Sequence, residues 1–182
     1  MRVFLAIELN EEVIDKLSVY QNYIRKHSIK GNFTDKDNFH ITIKFIGEIN
    51  EEKLKDIKDA MDTIRWNNPF VLRTEKIGCF PRKDKKIVWV GVGGETDKLN
   101  SLFKEVENVI YRKGFKKEDR PYSPHITIGR EVILNRPLES IQNEVNITSV
   151  QFLVKELSLM ESCRENGKLV YKTIYKKSFL ES

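Results

Sequence analysis

Apolar residues recur along this chain with two different periods, and the switches between them mark out its elements. Residues 2–8 (RVFLAIE) form a short apolar run bounded by charge and read as a buried strand. The next stretch, ELNEEVIDKL, offers Asn10 as a helix cap and places Glu11 and Glu12 at the positive end of a helix. Val13, Ile14, Leu17, Tyr20 and Ile24 then share one helical face, which predicts a helix to about Lys26. The same phrase returns as EINEEKLKDI, with Asn50 as cap and Leu54, Ile57, Met61 and Ile64 as the apolar stripe. A third helix is written in TDKLNSLFKEVENVIYRKGF, where Leu99, Leu102, Phe103, Val106, Val109 and Ile110 keep the helical period and Gly114 is the stop.

Period two governs much of the remainder. Residues 70–80 and 86–92 have strand character on either side of the polar stretch Pro81–Lys85, and 147–154 reads as another strand. Asn166-Gly167 lies between two β-prone runs and signals a tight hairpin. Strands with three helices inserted among them, and no linker rich in Pro, Gly or Ser, make an α+β pattern.

Two of those strands carry the same words. The tetrapeptide H-I-T-I occurs at His40 in NFHITIKF and at His125 in SPHITIGR, in a chain with only three histidines. On a strand, side chains alternate between faces. Phe39, Ile41, Ile43 and Phe45 then share an apolar face, and His40, Thr42 and Lys44 the other. In the second copy Ile126 and Ile128 face the core, while His125 and Thr127 face away together. A lone H-x-T on a strand is ordinarily a solvated polar pair. Two copies, each backed by a buried face, point to one shared site. The third histidine, His27, ends the first helix, where a cation suits the negative pole.

The residue types narrow the chemistry. Zinc would want a third or fourth ligand, and neither motif has a Cys, Asp or Glu at the neighbouring inward positions, so no metal is expected. Ser123 precedes a proline and lies in no G-x-S-x-G elbow. Acid–base catalysis at phosphorus fits better, because two imidazoles can take a proton on one side and deliver it on the other near neutral pH. Threonine hydroxyls and a guanidinium can hold the non-bridging oxygens. Arg130 is the nearest guanidinium to His125 in sequence, yet strict alternation turns it away, so a bulge or the strand's end must redirect it.

Composition changes this picture little. The 182 residues, 40% hydrophobic and 32% charged, suit one ordinary globular domain, and a net charge of +5 is compatible with a nucleic-acid or phosphate ligand without requiring one. Cys79 and Cys163 match no metal or redox spacing and read as reduced thiols. The run Val3–Ile7 is too short for a signal peptide or a membrane span, so a cytoplasmic protein is expected. Gly91–Gly94 lacks the lysine and spacing of a phosphate loop and reads as a turn into the third helix, with no nucleotide cofactor implied.

Taken together, His40-Ile41-Thr42-Ile43-Lys44-Phe45 and His125-Ile126-Thr127-Ile128-Gly129-Arg130 resemble the paired motifs of the two-histidine phosphoesterases, specifically the RNA 2′,3′-cyclic phosphodiesterase (2′-5′ RNA ligase) branch. RVFLAIEL, KFIGEI, GCFPR, VWVGV and Pro124 extend the likeness over nearly the whole chain. Ile43 in place of Leu and Gly129 in place of Ala are its mild departures. The resemblance implies one bilobal domain over residues 1–182, with two pseudo-symmetric lobes of antiparallel sheet, helices on the outer faces and a central cleft. It also implies hydrolysis of RNA 2′,3′-cyclic phosphate ends to 2′-phosphates by a monomer, without metal, cofactor or membrane. His40 would be the acid and His125 the base, with Thr42, Thr127 and Arg130 on the phosphate; nothing in the near-identical motifs themselves separates acid from base. Two alternatives stay open: 2′-5′ RNA ligation as the main activity, or a non-catalytic RNA-end binder using Arg82, Lys83, Lys85, Lys86, Lys44 and Arg130. Phe45, Phe80 and Tyr122 can stack bases, but each is first read as core or strand packing.

Overall fold

Asn10 and Asn50 cap helices as their positions predict: their side-chain oxygens accept from the amides of Val13 at 3.0 Å and Lys53 at 2.9 Å. The computed structural model describes residues 1–180. In chain order its elements are β1 (Arg2–Glu8), α1 (Glu11–Lys26), β2 (Ser28–Phe33), β3 (His40–Glu48), α2 (Glu51–Asp62), β4 (Phe70–Arg82), β5 (Lys85–Gly94), α3 (Thr96–Arg112), β6 (His125–Leu134), α4 (Leu138–Glu144), β7 (Gln151–Val154), β8 (Glu156–Glu165) and β9 (Lys168–Ser178). Asn166 and Gly167, at φ +50° and +80°, make the tight β8–β9 hairpin their sequence announces.

Four features depart from the sequence reading. SIKGNF has no clean alternation, yet forms β2 at the edge of a sheet. A fourth helix, α4, escapes the periodicity because it has seven residues and no side-chain cap. The strand expected over 147–154 shortens to β7, because Thr74 takes up the residues before it, accepting from Val150 N and from the Ser149 hydroxyl. The glycines at 91–94 continue β5 rather than turning; only Gly94, its last residue, takes a positive φ, of +90°.

The strands form two antiparallel sheets, ordered β3-β1-β8-β9 and β2-β6-β5-β4-β7. Two successive runs of chain, β1-α1-β2-β3-α2-β4 and β5-α3-β6-α4-β7-β8, build them together with β9. Each run ends in the other's sheet, since β4 pairs with β5 and β8 with β1. The long helices cross over as well. Tyr20 and Gln21 of α1 hydrogen-bond toward the five-stranded side, to Thr148 O and Ile128 O, while Glu107 of α3 pairs with Lys44 of β3 in the other sheet. This exchange merges the apolar faces of α1, α2, α3 and both sheets into one contiguous cluster, from Val3 and Ile41 to Val90 and Ile126. The opposite sheet faces look onto a cleft, where β3 and β6 adjoin. The domain expected over 1–182 includes residues 181 and 182, which lie outside the described residues.

Candidate active site

Each imidazole is tethered in the same way, by the carbonyl two residues before it. His40 Nδ1 lies 2.8 Å from Asn38 O, and His125 Nδ1 lies 2.7 Å from Ser123 O. A carbonyl only accepts, so each Nδ1 carries hydrogen and each Nε2 is left for the cleft. The Thr42 hydroxyl already meets His40 Nε2 at 2.9 Å. Aromatic rings fix both tilts. Phe4 and Tyr171 lie 4.9 and 5.2 Å from the His40 ring, and Phe80 and Trp89 lie 5.0 and 6.2 Å from His125. Gly78 is required beside Trp89, since a Cβ there would come within 2.2 Å of the indole. Sequence reasoning named Phe80 but missed Phe4, Tyr171 and Trp89. One signal was present: Phe4 and Trp89 share the spacing of His40 and His125 (89 − 4 and 125 − 40 are both 85).

A bulge decides what else enters the cleft. Trp89 pairs with Thr127 but Val88 with Gly129, so Ile128 is an extra residue in β6. One extra residue reverses the alternation. Val88 faces the core, so Gly129 does too, and Arg130 joins His125 and Thr127 on the cleft face. Gly129 has no room to be larger, because a Cβ would stand 2.9 Å from Val132 Cγ2. The redirection that Arg130 needed is therefore built into the ladder. β3 carries the same bulge: Ala6 pairs with Thr42 and Leu5 with Lys44, leaving Ile43 over. Here the strict-alternation expectation is corrected. Lys44 turns inward and is 6% exposed, whereas Phe45 turns into the cleft and is 53% exposed. Lys44 thus leaves the set of cations available to RNA, and Phe45 is no core residue.

Each bulge is secured by a buried polar side chain from the helix that crossed over. Gln21 Nε2 donates to Ile128 O at 2.7 Å and Thr34 O at 2.6 Å. Glu107 Oε1 accepts from Lys44 Nζ at 2.5 Å, and its Oε2 accepts from Glu118 N at 2.9 Å. Lys44 Nζ also donates to Lys116 O at 2.9 Å, so this pair clamps the loop that leads to His125. Farther along that loop the Tyr122 ring stacks on Phe103, with centroids 4.3 Å apart, and its hydroxyl donates to Thr42 O at 3.0 Å. One hydrogen bond thus ties the approach to the second motif to the backbone of the first.

Two hollows open on the cleft, about 760 Å³ beside His40 and about 470 Å³ beside His125. They share Thr42, Phe45 and Arg130. Thr127 sits half-buried on the same face by register, but is not among the side chains lining either hollow. His27 stays away, capping α1 against Asn135 and Arg136. Among the described residues no three His, Cys, Asp or Glu side chains gather as metal ligands, and no helix is long and apolar enough to cross a membrane.

Burial holds both imidazoles below the ordinary histidine value, against the pull of their carbonyl hydrogen bonds. The Arg130 charge lowers both further, and His125 adds to the effect on His40. The state with one ring protonated and one neutral is therefore most populated on the acid side of about pH 6.5 in the free protein. A bell-shaped kcat/KM profile with its optimum below that value is expected. Arg130→Gln removes positive charge, so its optimum should move to higher pH. Profiles of the two proteins measured in parallel check this; coincident optima would separate Arg130 from the rings.

The chain as a whole resembles known proteins. The family model described as LigT-like phosphoesterase matches twice, over residues 7–90 and 90–171, nearly the two successive runs of the fold. The chain is 32% identical over 178 residues to the RNA 2′,3′-cyclic phosphodiesterase of Methanocaldococcus jannaschii, covering 96% of this chain and 98% of that one. It is 29% identical over 181 residues to the protein of the same name from Thermotoga maritima, covering 98% and 96%. Among solved structures, E. coli LigT complexed with 3′-AMP superposes with a TM-score of 0.79 at 26% identity, over 100% of this chain and 98% of that one.

Proposed function

The chain belongs to the LigT-like phosphoesterase family, and from that premise we propose that it hydrolyses 2′,3′-cyclic phosphate ends of RNA to 2′-phosphates. The observation that carries this reading is the matched anchoring of two imidazoles, each held by its Nδ1 on a backbone carbonyl so that Nε2 is turned away from that tether, in hollows that share Arg130. His125 Nε2 takes a proton from water as the water oxygen bonds to phosphorus. His40 Nε2 gives its proton to the 3′ oxygen as the P–O3′ bond breaks, leaving a 3′-hydroxyl and a 2′-phosphomonoester. Arg130 grips the non-bridging oxygens, and the hydroxyls of Thr42 and Thr127 rotate to donate to them. The anionic phosphate offsets the repulsion between Arg130 and an imidazolium, so the substrate favours the proton that the acid must carry. No step requires a metal ion. Residues 1–182 act as one unit, monomeric and cytoplasmic.

A 2′,3′-cyclic-phosphate oligonucleotide is the test. Mass analysis is expected to find a product heavier by one water, resistant to re-cyclisation chemistry that needs a 3′-phosphate, with turnover undiminished by a chelator. A joined oligonucleotide as the main product would establish ligation instead. Unchanged substrate, bound tightly and salt-sensitively, would establish the non-catalytic binder.

A further inference from the structure

The two hollows carry the same formal charge once ion pairs cancel, but their unpaired arginines stand in different places, and that arrangement selects a path for the RNA strand. Arg2, Arg130 and Arg164 line the hollow beside His40. Among the described residues none of these three guanidinium groups is paired with a carboxylate. Arg2 lies over the Phe45 ring at 4.9 Å, and Arg164 is steadied through Nη1 by Gly167 O at 2.9 Å. Of the two carboxylates in that hollow, Glu48 is taken up by the terminal ammonium at 3.8 Å, leaving Glu161. In the hollow beside His125, by contrast, Arg120 is bound to Glu118 and Lys44 to Glu107. Arg82 and Arg130 remain there, among Phe80, Tyr122 and Ile87. A nucleic-acid strand carries one charge per nucleotide and follows unpaired cations.

Register gives those cations the right spacing. Arg2 stands two residues from Phe4 along β1, roughly 6.6 Å, on the same face. Phe4 packs on His40. Ser162 faces Arg2 across the ladder, and Arg164 follows two residues on, on that face again. A group bound at Arg2 and Arg164 is therefore about one nucleotide away from a phosphate held between His40 and Arg130.

We infer that Arg2 and Arg164 form a subsite for the phosphodiester immediately upstream of the RNA's cyclic end, so that the protein discriminates an RNA strand from a free cyclic mononucleotide. The inference rests on the function proposed above and adds the direction of the strand. With the upstream chain on the His40 side, the terminal ribose and its departing 3′ oxygen also lie there. Water then enters from the His125 side, in line with that departure. Acid at His40 and base at His125 then follow from where Arg2 and Arg164 stand rather than from the motifs, which are alike.

The experiment compares a dinucleotide ending in 2′,3′-cyclic phosphate with the corresponding cyclic mononucleotide, which has no upstream phosphodiester. Both arginines are exposed, so their replacement leaves the core intact. Arg164→Gln is expected to raise KM for the dinucleotide about tenfold, and Arg2→Gln combined with it further, with kcat little changed. KM for the mononucleotide should stay within about twofold. The salt dependence of dinucleotide binding should become shallower. Equal effects on both substrates, or none on either, overturn the inference. So does a selective loss in Arg82→Gln with Arg164→Gln unaffected, which would send the strand past His125. Wild-type protein inert toward both substrates would overturn the parent function, and this inference with it.

Discussion

His40→Ala and His125→Ala are each expected to lower kcat toward a cyclic-phosphate oligonucleotide by about 10³-fold or more, with KM changed far less. A positioned acid or base typically contributes 10²–10⁴-fold, and here each ring is held by a carbonyl and two aromatic neighbours, so no nearby group can replace it. The double variant should fall little below the worse single one, because removing either half of a concerted proton relay leaves the other half without a task. The rings also fill space between aromatics, so a melting curve for each variant separates lost chemistry from lost structure. Full turnover by either folded single variant would end the two-imidazole mechanism.

The second large effect is on stability. Glu107→Leu should destabilise the protein by about 3–5 kcal/mol, because it leaves the Lys44 ammonium buried and without its carboxylate. For a chain of this size that is a fall in melting temperature on the order of 10 °C. Lys44→Met with Glu107→Leu removes both charges and should recover most of the loss. Activity should recover less. The double variant still lacks the bonds from Lys44 to Lys116 O and from Glu118 N to Glu107, which hold the loop carrying Tyr122 and Ser123 to His125. Thermal unfolding and kcat measured on all three proteins decide it. An unchanged melting temperature in Glu107→Leu would mean that Lys44 reaches water when its partner is gone.

The prediction on Lys44 could not have been made from the strand pattern, which put that residue on the wrong face. Alternation was right at His40, Ile41 and Thr42 and wrong from Lys44 onward, because the count slips at Ile43. The same slip at Ile128 rescued Arg130, which alternation alone would have turned out of the site. No residue type announces either bulge. Ile43 and Ile128 are ordinary strand residues, and what makes them bulge is the register of the neighbouring strand and a polar group arriving from a distant helix. β2 and α4 were invisible for a related reason: both are short, and what stabilises them is their place beside other elements rather than a pattern of their own.

The sequence by itself determined the local elements: two Asn-capped helices, the third amphipathic helix, the Asn166-Gly167 hairpin and two strands that each present a histidine and a threonine on one face. These follow from forces acting within a few residues, namely side-chain periodicity, capping and left-handed backbone at a turn. Tertiary structure alone decided that the two halves exchange their long helices and last strands, that both histidines border one cleft, that Arg130 enters it and Lys44 does not, and that aromatic rings from other strands set the imidazole tilts. Those outcomes depend on hydrogen-bond register and packing between residues tens of positions apart. Pairing at that range is fixed only when the whole core closes.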